Sequence, residues 1–460
     1  MESLLEQMKK NVHSIFLDAT TGKTYHLQEL LLSIPKLDGK KLVFLYLGND
    51  IRSTSIYLSF LDTDHATVLL SESLDTSLKE NLESEYRPTI IFDCKRDHID
   101  GFESKTVPSD AFQTSIFIGD HTPTTVHSNC KVLLSTSGTT GSPKFVKLSE
   151  ENLLQNARSI CNYLPIIKDD VTPLNLPLYY SYGLSVLHSN AINGGTIVCG
   201  LPDILQKEFW NQMESFGFTS IAGVPYIYEM LRRIGFLKKE HPQLRYITQA
   251  GGNLSQNIKK EFNTYCLEHH IHFYVMYGQT EATARISYVP PHLLEDKITS
   301  IGIPIENGRL SLDKETGELL YKGPNVFGGY SEKRMDLNKW EHIEFLRTGD
   351  LAERDEDGFY YIKGRLKRFV KIFGNRVNLD EIERYLKSSL NIALVACVGI
   401  EDKFILISHC EGHIKDEQIK SGLFDKFKIH QTSIKIQQIE EMPLTNNGKI
   451  NYKKITEDFK

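Results

Sequence analysis

Short apolar runs alternate with segments of helical periodicity through the middle of the chain, and this alternation constrains the fold more than any other feature. The strand-like runs are 131–134, 220–224, 244–248 and 273–276. The helical segments are the one that follows Ser149, then 203–216, 226–234 and 258–265. Because such alternation is typical of parallel sheets covered by helices, we expect an α/β fold with a large N-terminal region of parallel-rich sheets.

The pattern changes after about residue 300. Short strands between turns, at 317–323 and 358–362, indicate a small antiparallel barrel or sheet. Next comes a compact α+β pattern. Its predicted elements are helices at 379–390 and 416–427 and strands at 393–400 and 404–409. We therefore predict a domain boundary near 365–367, which divides the chain into an N-terminal domain, 1–364, and a small, mobile C-terminal α+β domain, 365–460.

Composition excludes several classes of protein. A chain of 460 residues with a net charge of −6 has no basic surplus that would indicate nucleic-acid binding. No apolar run is long enough to cross a bilayer, and the N-terminus lacks the order of a signal peptide. The 7 cysteines are odd in number and form no CxxC pair. They are typical of reduced thiols in a cytoplasmic protein, and they argue against a zinc site.

The first motif that carries chemistry is the Gly/Ser/Thr-rich loop 135–144. Its residues up to the final lysine include Ser135, Thr136, Ser137, Gly138, Thr139, Thr140 and Gly141. Small residues leave backbone N–H groups free to converge on anionic oxygens, the hydroxyls add donors, and Lys144 adds a positive charge. The Walker A spacing is absent and Pro143 precedes the lysine, so this is a different phosphate-binding loop. The alternative is a flexible surface loop.

The second motif, 276–283, ends an apolar strand, and ligands bind at the carboxyl ends of parallel strands. Tyr277 can stack on a base, Thr280 can donate to a phosphate, and Glu281 can hold Mg²⁺. The alternative is an ordinary strand-to-helix turn.

Three later motifs are weak when taken singly. Asp350 in 347–351 can accept hydrogen bonds from two ribose hydroxyls, although an Asp in a turn is usually structural. The segment 364–377 is rich in basic residues. These residues could belong to the site, or they could simply form a solvent-exposed face. The turn 443–450 presents Lys449, which could also belong to a plain surface loop.

The order and spacing of all five motifs resemble the adenylate-forming superfamily. This superfamily contains acyl-CoA synthetases, the adenylation domains of peptide synthetases and firefly luciferase. Further matches are Ala250-Gly251-Gly252, the Gly-Glu-Leu and Gly-Tyr elements between 317 and 330, and Gly448-Lys449. The resemblance spans about residues 20–455. It implies ATP- and Mg²⁺-dependent activation of a carboxylic acid as its acyl-adenylate, followed by transfer to a phosphopantetheine thiol of CoA or of a carrier protein.

The resemblance also implies roles for single residues. The pyrophosphate portion of ATP would be handled by Thr139, Thr140 and Lys144, and adenine would stack on Tyr277, beside Gly278. Glu281 would bind Mg²⁺, and Thr280 would contact the α-phosphate. The remaining assignments are Asp350 and Arg365 for the ribose, Gly251 and Gly252 for the adenine and acyl pocket, Lys449 for the acyl carboxylate and α-phosphate, Lys367 for the hinge and Gly374 for the thiol channel.

The chain departs from the family at one motif. Tyr180 stands where the family usually has a His that borders the acid, and Ser181 stands where amino-acid-activating members keep an Asp. The loss of that Asp argues against a standard α-amino acid as substrate. The predicted acyl pocket contains Tyr180, Tyr182, Tyr226, Gly252 and Thr283. Three tyrosines favour a short hydroxylated or aromatic acid over a long fatty acid, unless they simply pack in the core.

Other functions remain as alternatives. The adenylate could be the end product or could pass to an amine or oxygen, and the chain could be a non-catalytic nucleotide-binding relic of the fold. A kinase is disfavoured because the H-R-D and D-F-G motifs are missing. The acceptor also stays open: Arg368, Lys371 and Arg376 could bind the phosphates of CoA or could pair with acidic neighbours.

Overall fold

The computed structural model describes residues 2–120, 123–135, 144–372, 375–400, 403–412, 414–445 and 448–459, with the backbone alone for 367, 369, 371, 375 and 376. The helices are α1 (Leu4–Lys10), α2 (Leu27–Leu30), α3 (Ile51–Leu61), α4 (Thr76–Tyr86), α5 (Glu150–Tyr163), α6 (Ser181–Asn193), α7 (Lys207–Phe216), α8 (Pro225–Arg233), α9 (Gln256–Glu268), α10 (Leu379–Ser389), α11 (Asp416–Phe427) and α12 (Tyr452–Asp458).

The first sixteen strands form two complete sheets and seven of the eight strands of a third. They are β1 (Ile15–Asp18), β2 (Thr24–His26), β3 (Leu42–Leu47), β4 (Ala66–Ser71), β5 (Ile90–Asp93), β6 (Phe102–Pro108), β7 (Gln113–Gly119), β8 (Val132–Ser135), β9 (Phe145–Leu148), β10 (Val171–Pro173), β11 (Thr196–Cys199), β12 (Ser220–Gly223), β13 (Tyr246–Gln249), β14 (His272–Tyr277), β15 (Ser287–Val289) and β16 (Ile303–Pro304). The later strands are β17 (Arg309–Leu312), β18 (Glu318–Lys322), β19 (Tyr330–Ser331), β20 (Leu346–Arg354), β21 (Tyr360–Arg365), β22 (Phe369–Ile372), β23 (Asn375–Asn378), β24 (Val395–Ile400), β25 (Phe404–His409) and β26 (Ile434–Gln438).

The largest sheet has the strand order β19-β9-β8-β4-β3-β5-β7-β6. Its centre is parallel, because β3 pairs with β4 and β5 and β4 pairs with β8, all in parallel register. Every residue of β3 and β4 is buried, as expected of strands covered on both faces. The α/β class predicted from the sequence is therefore confirmed.

A second sheet, in the order β12-β13-β14-β15-β16, carries the strand that leads to the second motif. Its first three strands are parallel, and β15 and β16 are antiparallel additions. A third sheet has the strand order β10-β11-β1-β2. The strands β10, β11 and β1 run parallel to one another. Because β12, β13 and β14 are parallel neighbours, their carboxyl ends lie at the same edge of the second sheet.

The predicted helix after Ser149 is α5. The Ser149 hydroxyl accepts a hydrogen bond from the Asn152 backbone and the Asn152 side chain accepts one in return, so the helix begins with a reciprocal cap. One local prediction is wrong, because the helix expected over 203–216 begins only at Lys207. The strand β9, between the phosphate loop and Ser149, was not predicted.

The small antiparallel unit expected after residue 300 is the sheet β17-β18-β20-β21. It ends at Arg365, at the predicted boundary. Beyond it, β22 and β23 form a hairpin, and β24-β25-β26 form a sheet packed with α10 and α11 around a separate hydrophobic cluster. The cluster formed by β24, β25 and α12 also contacts Tyr226 and Met230 of α8.

No helix among the described residues is long and apolar enough to span a membrane. All 7 cysteines are free thiols, of which Cys130, Cys199, Cys266 and Cys397 are buried and Cys94 is exposed.

Candidate active site

The carboxyl end of β14 turns sharply just after Tyr277. A side chain at Gly278 would collide with the backbone carbonyl of Ala284, so this close approach requires glycine. Residues Thr280–Ala282 form a single 3₁₀ turn, and Thr283 follows with a φ of 62°. This left-handed conformation is rare for a β-branched residue, and the Thr283 hydroxyl stabilises it by donating to the Asn325 carbonyl at 2.8 Å. The turn holds Thr280 and Glu281 at the end of the strand.

Asp350 lies opposite Arg365 in the β20–β21 pair and faces Tyr277. The Tyr277 hydroxyl donates to Asp350 Oδ2 at 2.5 Å, and Arg365 Nε donates to Oδ1 at 3.0 Å. Burial raises the pKa of Asp350, while the Arg365 charge and the Tyr277 hydrogen bond oppose that rise. Both carboxylate oxygens thus point to groups that sequence analysis assigned to the nucleotide.

Lys144 and Glu281 meet through Tyr330, which lies on β19 beside β9. The Lys144 ammonium lies 3.5 Å from the centroid of the Tyr330 ring and 3.1 Å from Glu332 Oε1. The Tyr330 hydroxyl donates to Glu281 Oε1 at 2.8 Å. The end of the phosphate loop and the predicted metal-binding carboxylate are therefore fixed relative to each other.

Lys449 enters the same region from the C-terminal part of the chain. Its turn is closed by a bridge between Leu444 and Ile450, and Gly448 has a φ of 69° and lies against Val224. The Lys449 ammonium lies 5.3 Å from the centroid of the Tyr180 ring. Burial and, to a smaller extent, the Arg365 charge lower the pKa of Lys449, Glu281 opposes both, and the net result is a pKa of about 8.

Tyr180 and Ser181 begin α6 beside this cluster. The hydroxyls of Ser181 and Thr280 are 3.3 Å apart. Gly251, with a φ of 84°, lies against the Tyr180 hydroxyl, and a side chain there would collide with it. Gly252 lies close to Pro225, whose Cγ would be 3.1 Å from an added side chain.

A small cavity lies directly behind these residues, between α5, α6 and the strands β10, β12, β13 and β14. Its lining residues include Thr172, Tyr182, Ser185, Ser189, Asn190, Ser220, Tyr246, Thr248, Met276 and Arg285. Of the residues predicted for the acyl pocket, Tyr182 lines this cavity. Thr283 is buried and donates its hydroxyl to the Asn325 carbonyl. Tyr226 packs against two hydrophobic clusters, one around the five-stranded sheet and one formed by β24, β25 and α12.

Several predicted residues lie outside the described ones. They are Thr136, Ser137, Gly138, Thr139, Thr140, Gly141 and Gly374, together with the side chains of Lys367, Lys371 and Arg376. The ends of the phosphate loop are described: Ser135 pairs with Phe145 in the β8–β9 ladder. Arg368 forms ion pairs with Asp380 and Glu383, so it follows the alternative of acidic neighbours.

Sequence analysis missed two contributors. Tyr330 had been noted only as part of a Gly-Tyr motif, and its contact with Glu281 depends on a strand pairing that no local pattern shows. Arg285 was overlooked entirely. A single arginine between Ala284 and Ile286, in an apolar stretch after the second motif, was the available signal.

Comparison with known proteins agrees with this geometry. The chain is 27% identical over 332 residues to the 2-succinylbenzoate–CoA ligase of Staphylococcus epidermidis, which covers 70% of this chain and 69% of that protein. It is 26% identical over 353 residues to the oxalate–CoA ligase of Arabidopsis thaliana, covering 71% and 67% of the two chains.

Among solved structures, the o-succinylbenzoate CoA synthetase of Bacillus subtilis has the same fold. Its complex with the acyl-adenylate OSB-AMP gives a TM-score of 0.74 at 18% identity, over 99% of this chain and 98% of that one. Its complex with ATP and magnesium ion gives 0.71 at 18% identity, over 98% of each chain.

The model of the family described as "AMP-binding enzyme" matches residues 54–331, which is more than half of the chain. This stretch contains the phosphate loop, the Tyr277–Glu281 turn and Tyr330. The resemblance inferred from the motifs is confirmed, and the chain belongs to the AMP-binding enzyme family.

Proposed function

We propose that this protein uses ATP to convert a carboxylic acid into its acyl-adenylate, with release of pyrophosphate, and then transfers the acyl group to the thiol of CoA. One observation carries the proposal: Lys449, from the C-terminal region, lies at Tyr180 within the electrostatic reach of Glu281 and Arg365. A lysine in that place stands between the predicted sites for the acid and for the nucleotide.

The chemistry requires such a cation. A carboxylate that attacks the α-phosphate of ATP brings two anions together, so the reaction depends on positive charge and hydrogen-bond donors more than on acid–base groups. Lys449 supplies the charge between the two anions, and Thr280 supplies a hydroxyl at the same end of β14. Lys144, held on Tyr330, supplies charge at the pyrophosphate end.

The ribose and adenine are assigned to the other end of the site. Asp350 would accept hydrogen bonds from the ribose hydroxyls with Arg365 beside it, and Tyr277 would stack on the base next to Gly251 and Gly278. The loop Ser135–Gly141 would surround the terminal phosphates. The hydrogen bonds that already join Tyr277, Asp350 and Arg365 support this assignment, because they hold the three groups in one place.

Magnesium fits the residues present. Mg²⁺ in nucleotide sites is usually held by one or two carboxylates together with the phosphates of the substrate. Glu281 offers such a carboxylate, and the hydrogen bond from the Tyr330 hydroxyl orients it. Bound there, the ion would neutralise phosphate charge.

The second step would use a rearrangement of the C-terminal domain, which we place at 365–460. Its own hydrophobic clusters support this division, since they are formed by residues after Arg365 apart from the contacts of Tyr226 and Met230 on α8. Rotation about Lys367 would withdraw Lys449 and bring Gly374 to line a channel for the thiol. One site would then serve both half-reactions.

CoA is the proposed acceptor because the relatives reported above are CoA ligases by name. A phosphopantetheinyl carrier protein is the second candidate, and it uses the same thiol. We place the enzyme in the cytoplasm on the basis of its free, mostly buried cysteines.

A two-stage experiment tests the proposal. The purified protein is first assayed for ATP–pyrophosphate exchange with a panel of carboxylic acids. The acids that support exchange are then incubated with ATP and with either CoA or a phosphopantetheinylated carrier, and products are identified by mass spectrometry. Acid-dependent exchange and an acyl-CoA product are expected. Absence of exchange with every acid would refute adenylation, and exchange without any thioester would refute thiol transfer.

A further inference from the structure

The cavity behind Tyr180 contains an unusual charge. Arg285 is the only charged side chain among the described residues that line it, and it is 3% exposed. Its guanidinium lies 4.2 Å from the centroid of the Tyr182 ring. The charge is therefore brought into the interior at the point where the acyl group of the substrate is expected.

The protein gives this charge little compensation. Nε of Arg285 is buried without a hydrogen-bond partner. Its other described polar contacts are with neutral groups, the Tyr163 hydroxyl and, at 3.5 Å, the Ala284 carbonyl. A buried charge without a counter-charge destabilises the folded state, so proteins normally pair it with a carboxylate. A charge that is kept in this state is expected to have a partner that arrives with a ligand.

The other polar groups around the cavity are already used. Tyr182 donates to Thr248, Ser185 donates to the Tyr182 carbonyl, and Ser189 donates to the Ser185 carbonyl. Thr172 donates to Asn190. Since these hydroxyls bond within the protein, Arg285 Nε is the donor among the described lining residues that is left without a partner.

We propose that Arg285 binds a second carboxylate of the substrate, so that the acid activated here is a short dicarboxylic acid. The inference rests on the function proposed above. A single guanidinium matches one planar carboxylate in charge and in the geometry of its paired donors, whereas a phosphate dianion would exceed its charge. The cavity has a volume of about 20 Å³, which is room for one small polar group.

The positions of the two ends agree with this substrate. The reacting carboxylate would lie near Lys449 and Thr280, beside Tyr180. The rings of Tyr180 and Tyr182 are 6.3 Å apart, and the Arg285 guanidinium lies 4.2 Å from the centroid of the Tyr182 ring. A short chain that passes these two rings places its second carboxylate at the guanidinium.

The test compares acids in matched pairs of equal chain length: butyrate with succinate, pentanoate with glutarate, hexanoate with adipate. Pyrophosphate exchange is measured for the wild type, Arg285→Met, Arg285→Lys and the control Arg309→Met, whose arginine is exposed on β17. At least one diacid is expected to exceed its monoacid tenfold or more in kcat/KM. In Arg285→Met this preference should be lost, with a fall of about a hundredfold for the diacid and little change for the monoacid. Arg285→Lys should be intermediate.

A wild-type preference for the monoacid in every pair would overturn the inference while leaving adenylation intact. Thermal unfolding with each acid of the three pairs gives a readout that does not depend on catalysis: at least one diacid should raise the Tm of the wild type more than its monoacid does, and should not raise that of Arg285→Met. If no acid supports exchange, adenylation fails, and the same thermal shifts still decide the role of Arg285. Without ligand, Arg285→Met should unfold at or above the wild-type temperature. A lower Tm, with equal loss on both members of a pair, would identify Arg285 as a purely structural residue and refute the inference.

Discussion

The proposed nucleotide end and the proposed acyl end of the site differ in how their charged side chains are paired. At the nucleotide end, Asp350 is bound by Tyr277 and Arg365, Lys144 by Glu332 and Tyr330, and Glu281 by Tyr330. At the acyl end, the hydroxyls are satisfied within the protein and Arg285 has no such carboxylate among the described residues.

The difference follows from what each end has to recognise. ATP is the same for every member of such a family, so its binding groups can be held in place before it arrives, which lowers the entropic cost of binding. The acid differs between enzymes, and a buried donor without a partner rejects every acid that cannot satisfy it. Changes at the nucleotide end should therefore affect all acids equally, and changes at the acyl end should affect them selectively.

The largest effect is expected at Lys449, where the two ends meet. Lys449→Ala should reduce acyl-adenylate formation by about a hundredfold or more, because the charge between two reacting anions is lost. Thioester formation from supplied acyl-adenylate should survive. Pyrophosphate exchange and a thioester assay measure the two steps, with the exposed Lys453→Ala as the control. Equal loss in both half-reactions would refute the role of Lys449.

A smaller effect is expected at Asp350. Asp350→Ala removes the proposed ribose contact and leaves Arg365 without its partner, so KM for ATP should rise about 10- to 100-fold. The factor should be the same for every acid tested. Steady-state kinetics with two acids and the control Asp357→Ala, an exposed carboxylate paired with Lys297, check this expectation. A factor that depends on the acid would break the proposed separation of the two ends.

The pH dependence of adenylation gives a further test of the role of Lys449. Burial lowers the pKa of Lys449 to about 8, and the lysine is charged only below that pH. Adenylation kcat/KM, which reports the free enzyme, should therefore fall about tenfold per pH unit above pH 8. In Lys449→Arg the charge persists at all these pH values, so the weaker activity should stay flat from pH 8 to 10. The same decline in that variant would assign the titration to another group.

The smallest effect is expected at Tyr330. Tyr330→Phe removes one hydrogen bond to Glu281, worth about 1 kcal/mol, so the Mg²⁺ concentration for half-maximal exchange should rise about fivefold. Tyr361→Phe is a matched control, since the Tyr361 hydroxyl donates to Asp355 at 2.7 Å, outside the site. An unchanged Mg²⁺ requirement would show that Tyr330 does not position the metal-binding carboxylate.

Sequence analysis predicted the α/β class and most of the elements because strand and helix periods are local properties. It also selected Tyr277, Asp350 and Arg365, which the structure brings into contact, since they lie in motifs of fixed spacing. Their role in binding the nucleotide stays a prediction. It could not show the contact of Tyr330 with Glu281, which arises from the pairing of β19 with β9 across almost two hundred residues. The burial of Arg285 was equally hidden, because it depends on the backbone at Thr283 and on the helices packed over it.

The peptide from Tyr277 to Arg285 carries residues assigned to both ends of the site: Tyr277, Thr280 and Glu281 to the nucleotide and Arg285 to the acid. The close approach of Gly278 to Ala284 and the Thr283 hydrogen bond to Asn325 tie its two halves together, so a change in the first half is expected to displace the second. Exchange of this peptide between related enzymes would transfer the choice of acid together with part of the catalytic apparatus. To change only which acid is accepted, substitutions should begin on α6 or β12. Side chains of these elements line the cavity, and none of those lining residues is assigned to ATP.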